Sequence, residues 1–185
     1  DVYKRQAQYG GVRRARVSSQ SWKRAIRSYF LENSEDGNVG VRSYKIPDYI
    51  ASKIKKIDSS INDEEALKMA DDILKDAGVK TKNFKTTALF FLGNSQAEKL
   101  ARAAVDGVKD KNLLKEMLKD DPAVDLALFG RMVADDPSLN EDASCQVAHA
   151  ISTHSVETEF DFFTAVDDLQ EETNAGAGML GTIEY

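Results

Sequence analysis

The chain has 185 residues, 42% of them hydrophobic and 30% charged, with 11 Gly and 3 Pro. That excludes a disordered or low-complexity chain, and no run reaches the roughly 18 apolar residues that a helical membrane span needs. One cysteine, Cys145, excludes a disulfide framework and any multi-cysteine metal site and fits a reducing compartment, while two histidines leave little room for imidazole metal chemistry. The net charge of −6, taken as a total, argues against a polyanionic partner.

Residues 1–6 (DVYKRQ) resemble the translated end of a transposase sequencing adapter and are set aside from fold reasoning. Residues 11–17 read as a short strand with interleaved arginines, and Ser18 or Ser19 is a natural N-cap for the helix that follows. Trp22, Ala25, Ile26, Tyr29 and Phe30 fall on one face of that helix, and Gln20, Lys23, Arg24 and Arg27 on the opposite one. A polar loop follows over 33–41.

Residues 47–119 read mainly as helices. Tyr49, Ile50, Ile54 and Ile57 form one apolar stripe; Ala66, Leu67, Ala70, Ile73 and Leu74 form a second. A β-like run at 86–92 precedes a helix over 96–108 that carries Leu100, Ala101, Ala104 and Val105. From Val124 the period changes: 124–133 reads as a strand, and 143–152 alternates apolar and polar as a strand does. Residues 160–169 are apolar and acidic together, 174–181 is a glycine-rich turn, and 180–185 reads as a final strand. The sum is α+β, with strands toward the ends and a helical insertion between them. Both ends read as those of a fragment of a longer protein.

Charge is strongly segregated. Residues 1–30 hold eight cations against one acid, a net +7, whereas from Asp120 onward Arg131 alone faces 15 acids, a net −14. A polyanion meets the local surface rather than the total, so the basic end offers a binding face that the sum conceals.

Signatures of catalysis are sparse. The chain lacks a phosphate-binding P-loop motif, and the GAGMLG run at 176–181 does not open a helix as a dinucleotide site must. His149 and His154 are five residues apart, off the spacing for helix-borne metal ligands; each reads as a packed or hydrogen-bonded histidine. Cys145 falls on the apolar phase of its expected strand and reads as a core thiol. The pairs Asp120-Asp121, Asp135-Asp136 and Asp167-Asp168 lack a third ligand and read as surface acids. No catalytic residue, metal site or cofactor is indicated.

Residues 13–27 (RRARVSSQSWKRAIR) offer more. An arginine-rich strand runs directly into a helix start flanked by serines and a glutamine. Helix N-terminal N–H groups, hydroxyls and cationic heads satisfy phosphate oxygens without reading sequence. A basic amphipathic helix paired with acids of its own chain would show the same pattern.

Together, GGVRRARVSSQSWKRA at 10–25, DLALFGRM at 125–132, VAHAISTH at 147–154, DFFTAVDDLQ at 161–170 and Gly181-Thr182 with Glu184 occur in the order and with the spacing of one family. They resemble the CasC (Cse-four) family, the backbone subunits of the type I-E CRISPR Cascade complex. The family's own opening-strand motif and its C-terminal half have no counterpart here. The resemblance implies an RRM-like (ferredoxin-like) palm at 7–33 and 120–155. It also implies a helical fingers insertion at 34–119 and a β-hairpin thumb at 156–185.

The implied role is cytoplasmic antiviral defence. Copies of the subunit line up along a CRISPR RNA, grip its phosphates and support target DNA pairing through the guide, beside other Cascade subunits and without a membrane or nuclease activity. Carried onto this chain, Ser19, Gln20, Lys23 and Arg27 are expected guide-phosphate ligands, with Arg13 and Arg24 as outer contributors. Met132 is expected to wedge beside a displaced nucleotide, with Phe163 as its apolar partner; the alternative for both is a core role. The acidic segment is expected to face a neighbouring copy or solvent. Two other readings stand beside this one: a metal-dependent RNA-cleaving backbone subunit, as in type III systems, and a DNA-binding regulator built on the basic helix.

Overall fold

In the computed structural model the described residues are 6–34, 37–133, 136–157, 160–164 and 180–184. They form a mixed α/β chain of small sheets and helices divided into two compact units, one from 1–32 with 146–185 and one from 33–145.

The first unit begins with β1 (Gln6–Tyr9) and β2 (Val12–Val17), an antiparallel hairpin in which Tyr9 pairs with Val12. The two residues between them, Gly10 and Gly11, have φ of 65° and 78°. A two-residue hairpin turn needs positive φ at both central positions, and glycine supplies it without strain. On its other side β2 pairs with the two-residue strand β7 (Ala150–Ile151). Between them in sequence, α1 (Ser19–Asn33) starts from Ser18, whose Oγ accepts the Ser21 N–H at 3.2 Å as an N-cap. Two further strands, β8 (Phe160–Thr164) and β9 (Leu180–Glu184), pair antiparallel, Phe160 opposite Glu184 and Thr164 opposite Leu180.

The second unit holds most of the buried apolar side chains. Its elements are β3 (Gly40–Ser43), α2 (Ile46–Ile57), α3 (Asp63–Asp76), β4 (Thr81–Lys82), β5 (Lys85–Thr86), β6 (Phe90–Gly93), α4 (Asn94–Val105), α5 (Lys111–Met117) and α6 (Val124–Phe129). Ile46, Ile50 and Ile54 of α2 meet Ala66, Ala70 and Leu74 of α3 and Ala97, Leu100 and Ala101 of α4, all at the i, i+3, i+4 spacing that lines one helix face. Leu114 and Leu118 close the cluster from the α5 side. Each fully buried Ile or Leu contributes roughly 1.5–3 kcal/mol from removing its surface from water. The antiparallel pair β3–β6 carries Leu92 and Phe90 into the same core.

The structure revises four expectations. Residues 124–129 are helix α6, not a strand. Ala123 and Leu126, three apart, pack on Phe91, and buried Asp125 accepts the Gly40 N–H at 2.9 Å. The expected strand over 143–152 shrinks to Ala150–Ile151, because the segment before it is tied to the end of α6. Ser144 N and Oγ donate to Ala127 O at 3.1 and 2.8 Å, and Cys145 N to Leu128 O at 3.1 Å, so these groups are taken up before any ladder forms. Cys145 is accordingly a half-buried bend residue rather than a core thiol in a strand. The run at 86–92 divides between β5 and β6.

Other expectations hold with small shifts. In the α3 stripe Ala66, Ala70, Ile73 and Leu74 are buried and Leu67 half-buried, whereas in α2 the buried face is Ile46, Ile50 and Ile54, leaving Tyr49 half-buried and Ile57 exposed. Residues 1–5, Asp135, Asp167, Asp168 and the glycine-rich turn at 174–179 lie outside the described residues.

Candidate nucleic-acid interface

Arg13 sits in β2, exposed, and its carbonyl accepts the Val156 N–H at 3.0 Å. Arg14, next in the same strand, is a scaffold group. Its Nε donates to Tyr9 O at 3.0 Å, and its Nη1 donates to Ser152 O at 3.1 Å and Thr153 O at 2.6 Å. The guanidinium also lies 5.9 Å from the centre of the Tyr9 ring. Arg14 thus fastens the β1–β2 hairpin to the segment after β7. Ser152 reinforces the join: its N–H donates to Ala15 O and its Oγ accepts the Ala15 N–H, at 2.9 and 3.0 Å.

This stitching brings His149 to the start of α1. Ser19, the first residue of the helix, donates its N–H to His149 Nδ1 at 2.9 Å. Ser18 Oγ takes the Ser21 N–H, and Ser18 O accepts from Ser21 and Trp22 at 3.0 and 3.3 Å. The helix start is therefore satisfied in part by the chain itself, and any phosphate contact rests more on side chains than the sequence pattern implied. Sequence reasoning treated His149 as a hydrogen-bonded histidine, which it is, yet gave no sign that its partner is the basic helix.

Along α1, Gln20 and Arg24 are exposed and Lys23 and Arg27 half-buried. Their spacing of three, four and seven residues puts them on one side of the helix. None of the α1 side chains is buried: Trp22 is 44% and Tyr29 62% exposed, while Ile26 and Phe30 are half-buried. The expected apolar face is present in sequence but makes no core among the described residues.

Met132 belongs to the second unit and is 84% exposed. The residue before it, Arg131, is 5% exposed. Arg131 exchanges backbone hydrogen bonds with Glu141, N–H to O at 2.9 Å and O from N–H at 2.8 Å. Its guanidinium donates to three carbonyls: Nε to Leu139 O at 3.0 Å, Nη1 to Phe91 O at 3.2 Å and Nη2 to Leu118 O at 2.9 Å. The Phe90 ring lies 5.2 Å from the guanidinium carbon. Burial pushes the Arg131 pKa down to about 10, opposed by the Glu141 carboxylate, so the group stays charged at neutral pH.

The loop that supplies Leu139 O is itself anchored. Lys115 Nζ donates to Asp136 Oδ2 at 2.6 Å and to Ser138 Oγ at 2.8 Å. The Lys115 bond, and then Ser138 Oγ donating to Asp136 Oδ1 at 2.6 Å, hold the Asp136 carboxyl down at about 2. Phe163 is a β8 residue paired with Gly181; its side chain lies outside the described part of the structure. Among the described residues, no group of three His, Cys, Asp or Glu side chains gathers as metal ligands would, and no helix is long and apolar enough to cross a membrane.

Residues 3–185 match the family model of CT1975-like proteins, a CRISPR-associated (Cas) family. A search of curated proteins returns no match. Two solved chains are similar in structure. One, from a "CRISPR RNA-guided surveillance complex, pre-nicking", is 31% identical with a TM-score of 0.67 over 97% of this chain and 54% of that one. The other, from a "CRISPR RNA-guided surveillance complex", is 28% identical with a TM-score of 0.67 over 81% of this chain and 52% of that one. The chain thus spans about half the length of the solved proteins it matches. With the family model covering nearly all of its residues, the chain belongs to the CT1975-like family of Cas proteins.

Proposed function

We propose that this chain is part of a guide-RNA-binding backbone subunit of a CRISPR surveillance complex, of the type I-E Cascade kind. The observation that carries the reading is the basic side of α1, with Gln20, Lys23, Arg24 and Arg27 following directly on the arginine strand. Its first turn is fixed by Ser18 and His149. Family membership and the similarity to chains of RNA-guided complexes support it. Ser19, Gln20, Lys23 and Arg27 bind guide phosphates, with Arg13 and Arg24 further out. Contacts of this kind accept any spacer, which suits a subunit whose guide reads sequence by base pairing.

In this reading the palm is RRM-like, from 7–33 and 120–155, the fingers are 34–119 and the thumb is 156–185. Met132 and Phe163 press on a displaced nucleotide. Copies associate head to tail along the RNA, a heterologous contact that makes an open filament until other subunits cap it. The subunit binds and does not cut, and it needs no cofactor.

Binding of the full-length protein to two unrelated guide RNAs and to duplex DNA, at several salt concentrations, tests this. Similar affinity for both RNAs, falling steeply with salt, is expected. Sequence-specific duplex binding would replace the reading with a DNA regulator, and Mg²⁺-dependent cleavage of the bound RNA would replace it with a ribonuclease.

A further inference from the structure

Among the described residues, one of the most exposed large apolar side chains directly follows a buried cation. Met132 is 84% exposed and Arg131 is 5% exposed. Methionine is flexible and unbranched, and an isolated exposed methionine samples many rotamers. Here the backbone on both sides of it is fixed. On the N-terminal side, Gly130 has φ of 75° and leaves no room for a side chain, since a Cβ would lie 2.7 Å from Glu141 O. Arg131 then pairs with Glu141 through both backbone groups. On the C-terminal side, Val133 N donates to Asn140 Oδ1 at 2.7 Å.

The Arg131 guanidinium joins three separate pieces of the unit: the turn at Leu139, strand β6 at Phe91 and the end of α5 at Leu118. Leu118 O also accepts Gln96 Nε2 at 2.7 Å, which extends the join to α4. All of these acceptors are neutral. A buried cation that donates to neutral carbonyls, its counter-charge the half-buried Glu141, is an expensive way to fill space, and a packed apolar residue would do that better. What the planar fork adds is direction: three carbonyls from three elements fix one backbone position.

We propose that Arg131 is a positioning residue that holds Met132 out from a rigid base. This stands on the geometry alone; that the side chain so held meets a nucleotide is the guide-RNA reading above. A thioether of fixed origin gives a polarisable contact to a ring without selecting among bases, because every base has a π-face.

The test uses the full-length protein assembled on guide RNA, with ¹³C-methyl-methionine labels, in Arg131→Lys, Asn140→Ala, Met132→Ala and the Arg131→Lys/Met132→Ala double variant. Arg131→Lys keeps the charge and loses the fork. The Met132 methyl signal, identified by its loss in Met132→Ala, is expected to shift toward the averaged position of a free side chain in Arg131→Lys. The other methionine signals should stay in place. Target DNA affinity should fall about tenfold in Arg131→Lys and in Met132→Ala, with no further loss in the double variant, as coupled residues behave. Asn140→Ala spares the guanidinium and should move the same signal less, so the test stands even if Arg131→Lys does not assemble.

An unmoved Met132 signal in the variants that assemble would overturn the positioning role, as would affinity losses that add in the double variant. Full target affinity in Met132→Ala would overturn the nucleobase as ligand and with it the wedge reading, while the methyl signal still decides the role of Arg131.

Discussion

Ser19 and His149 stand 130 positions apart in sequence, and the N–H of the first donates to Nδ1 of the second at 2.9 Å. The contact makes the start of the basic helix depend on a segment encoded far downstream. Losing an acceptor of this kind costs about 1 kcal/mol. His149→Ala in the full-length protein should therefore lower stability by about that amount, and Ser18→Ala, which removes the N-cap, by a similar amount. Denaturant unfolding monitored by circular dichroism measures both, and an unchanged midpoint in either variant would show that the cap contributes nothing.

Lys23→Ala should weaken guide RNA retention equally for unrelated spacers. A lost phosphate contact also reduces the slope of log affinity against log salt by about 1. Filter binding over a salt series reads both quantities. A loss confined to one spacer would instead assign Lys23 to base recognition.

Met132→Ala should leave RNA loading nearly intact and weaken target pairing. The side chain is exposed and carries no charge, so neither core packing nor phosphate attraction is lost with it. Affinity for guide RNA and for a complementary DNA target, measured separately on one preparation, distinguishes the two effects.

Asp136 gives a pH signature. Its carboxyl is held at about 2 in the folded protein against an ordinary value of 3.8, first by the Lys115 hydrogen bond and then by Ser138. A depressed folded pKa means stabilisation that is present above the unfolded value and lost as pH falls through the folded one. The stability difference between the natural protein and Asp136→Asn should be constant above about pH 5 and shrink as pH falls from 3.8 toward 2. Thermal melts across that range measure it, and a difference independent of pH would show that the ion pair is not its source.

The helical core was legible because its signal is local: Ala66, Ala70, Ile73 and Leu74 repeat at the helix period, and all four are buried. The strand–helix start was legible for the same reason, from alternating arginines and a serine cap. Residues 124–129 misled because Val124, Leu126 and Leu128 alternate, while the packing that decides the matter is the contact of Ala123 and Leu126 with Phe91. Strand β1 was missed although Gly10-Gly11 is a hairpin signal, since its four residues, Gln6-Ala7-Gln8-Tyr9, hold only one strand-favouring side chain. Of the candidate site, the composition of α1 could be read directly. The anchoring of Met132 could not, because the acceptors for Arg131 are main-chain carbonyls, and a carbonyl leaves no mark on the residue type.

The division of the chain into a contiguous unit at 33–145 and a unit built from both ends sets an order of assembly. A chain emerging from the ribosome presents β1, β2 and α1 before residues 33–145, and the acceptors for Arg14 at Ser152 and Thr153, and His149 for Ser19, only after them. Meanwhile the intervening helices meet partners close in sequence, and local contacts form sooner than distant ones. The helix that carries Lys23 and Arg27 contributes no buried side chain of its own, so beyond its local Ser18 cap its first turn gains the His149 acceptor only once the downstream segment is made. A subunit caught midway through synthesis would therefore hold a finished helical unit while its basic helix still lacks the His149 contact.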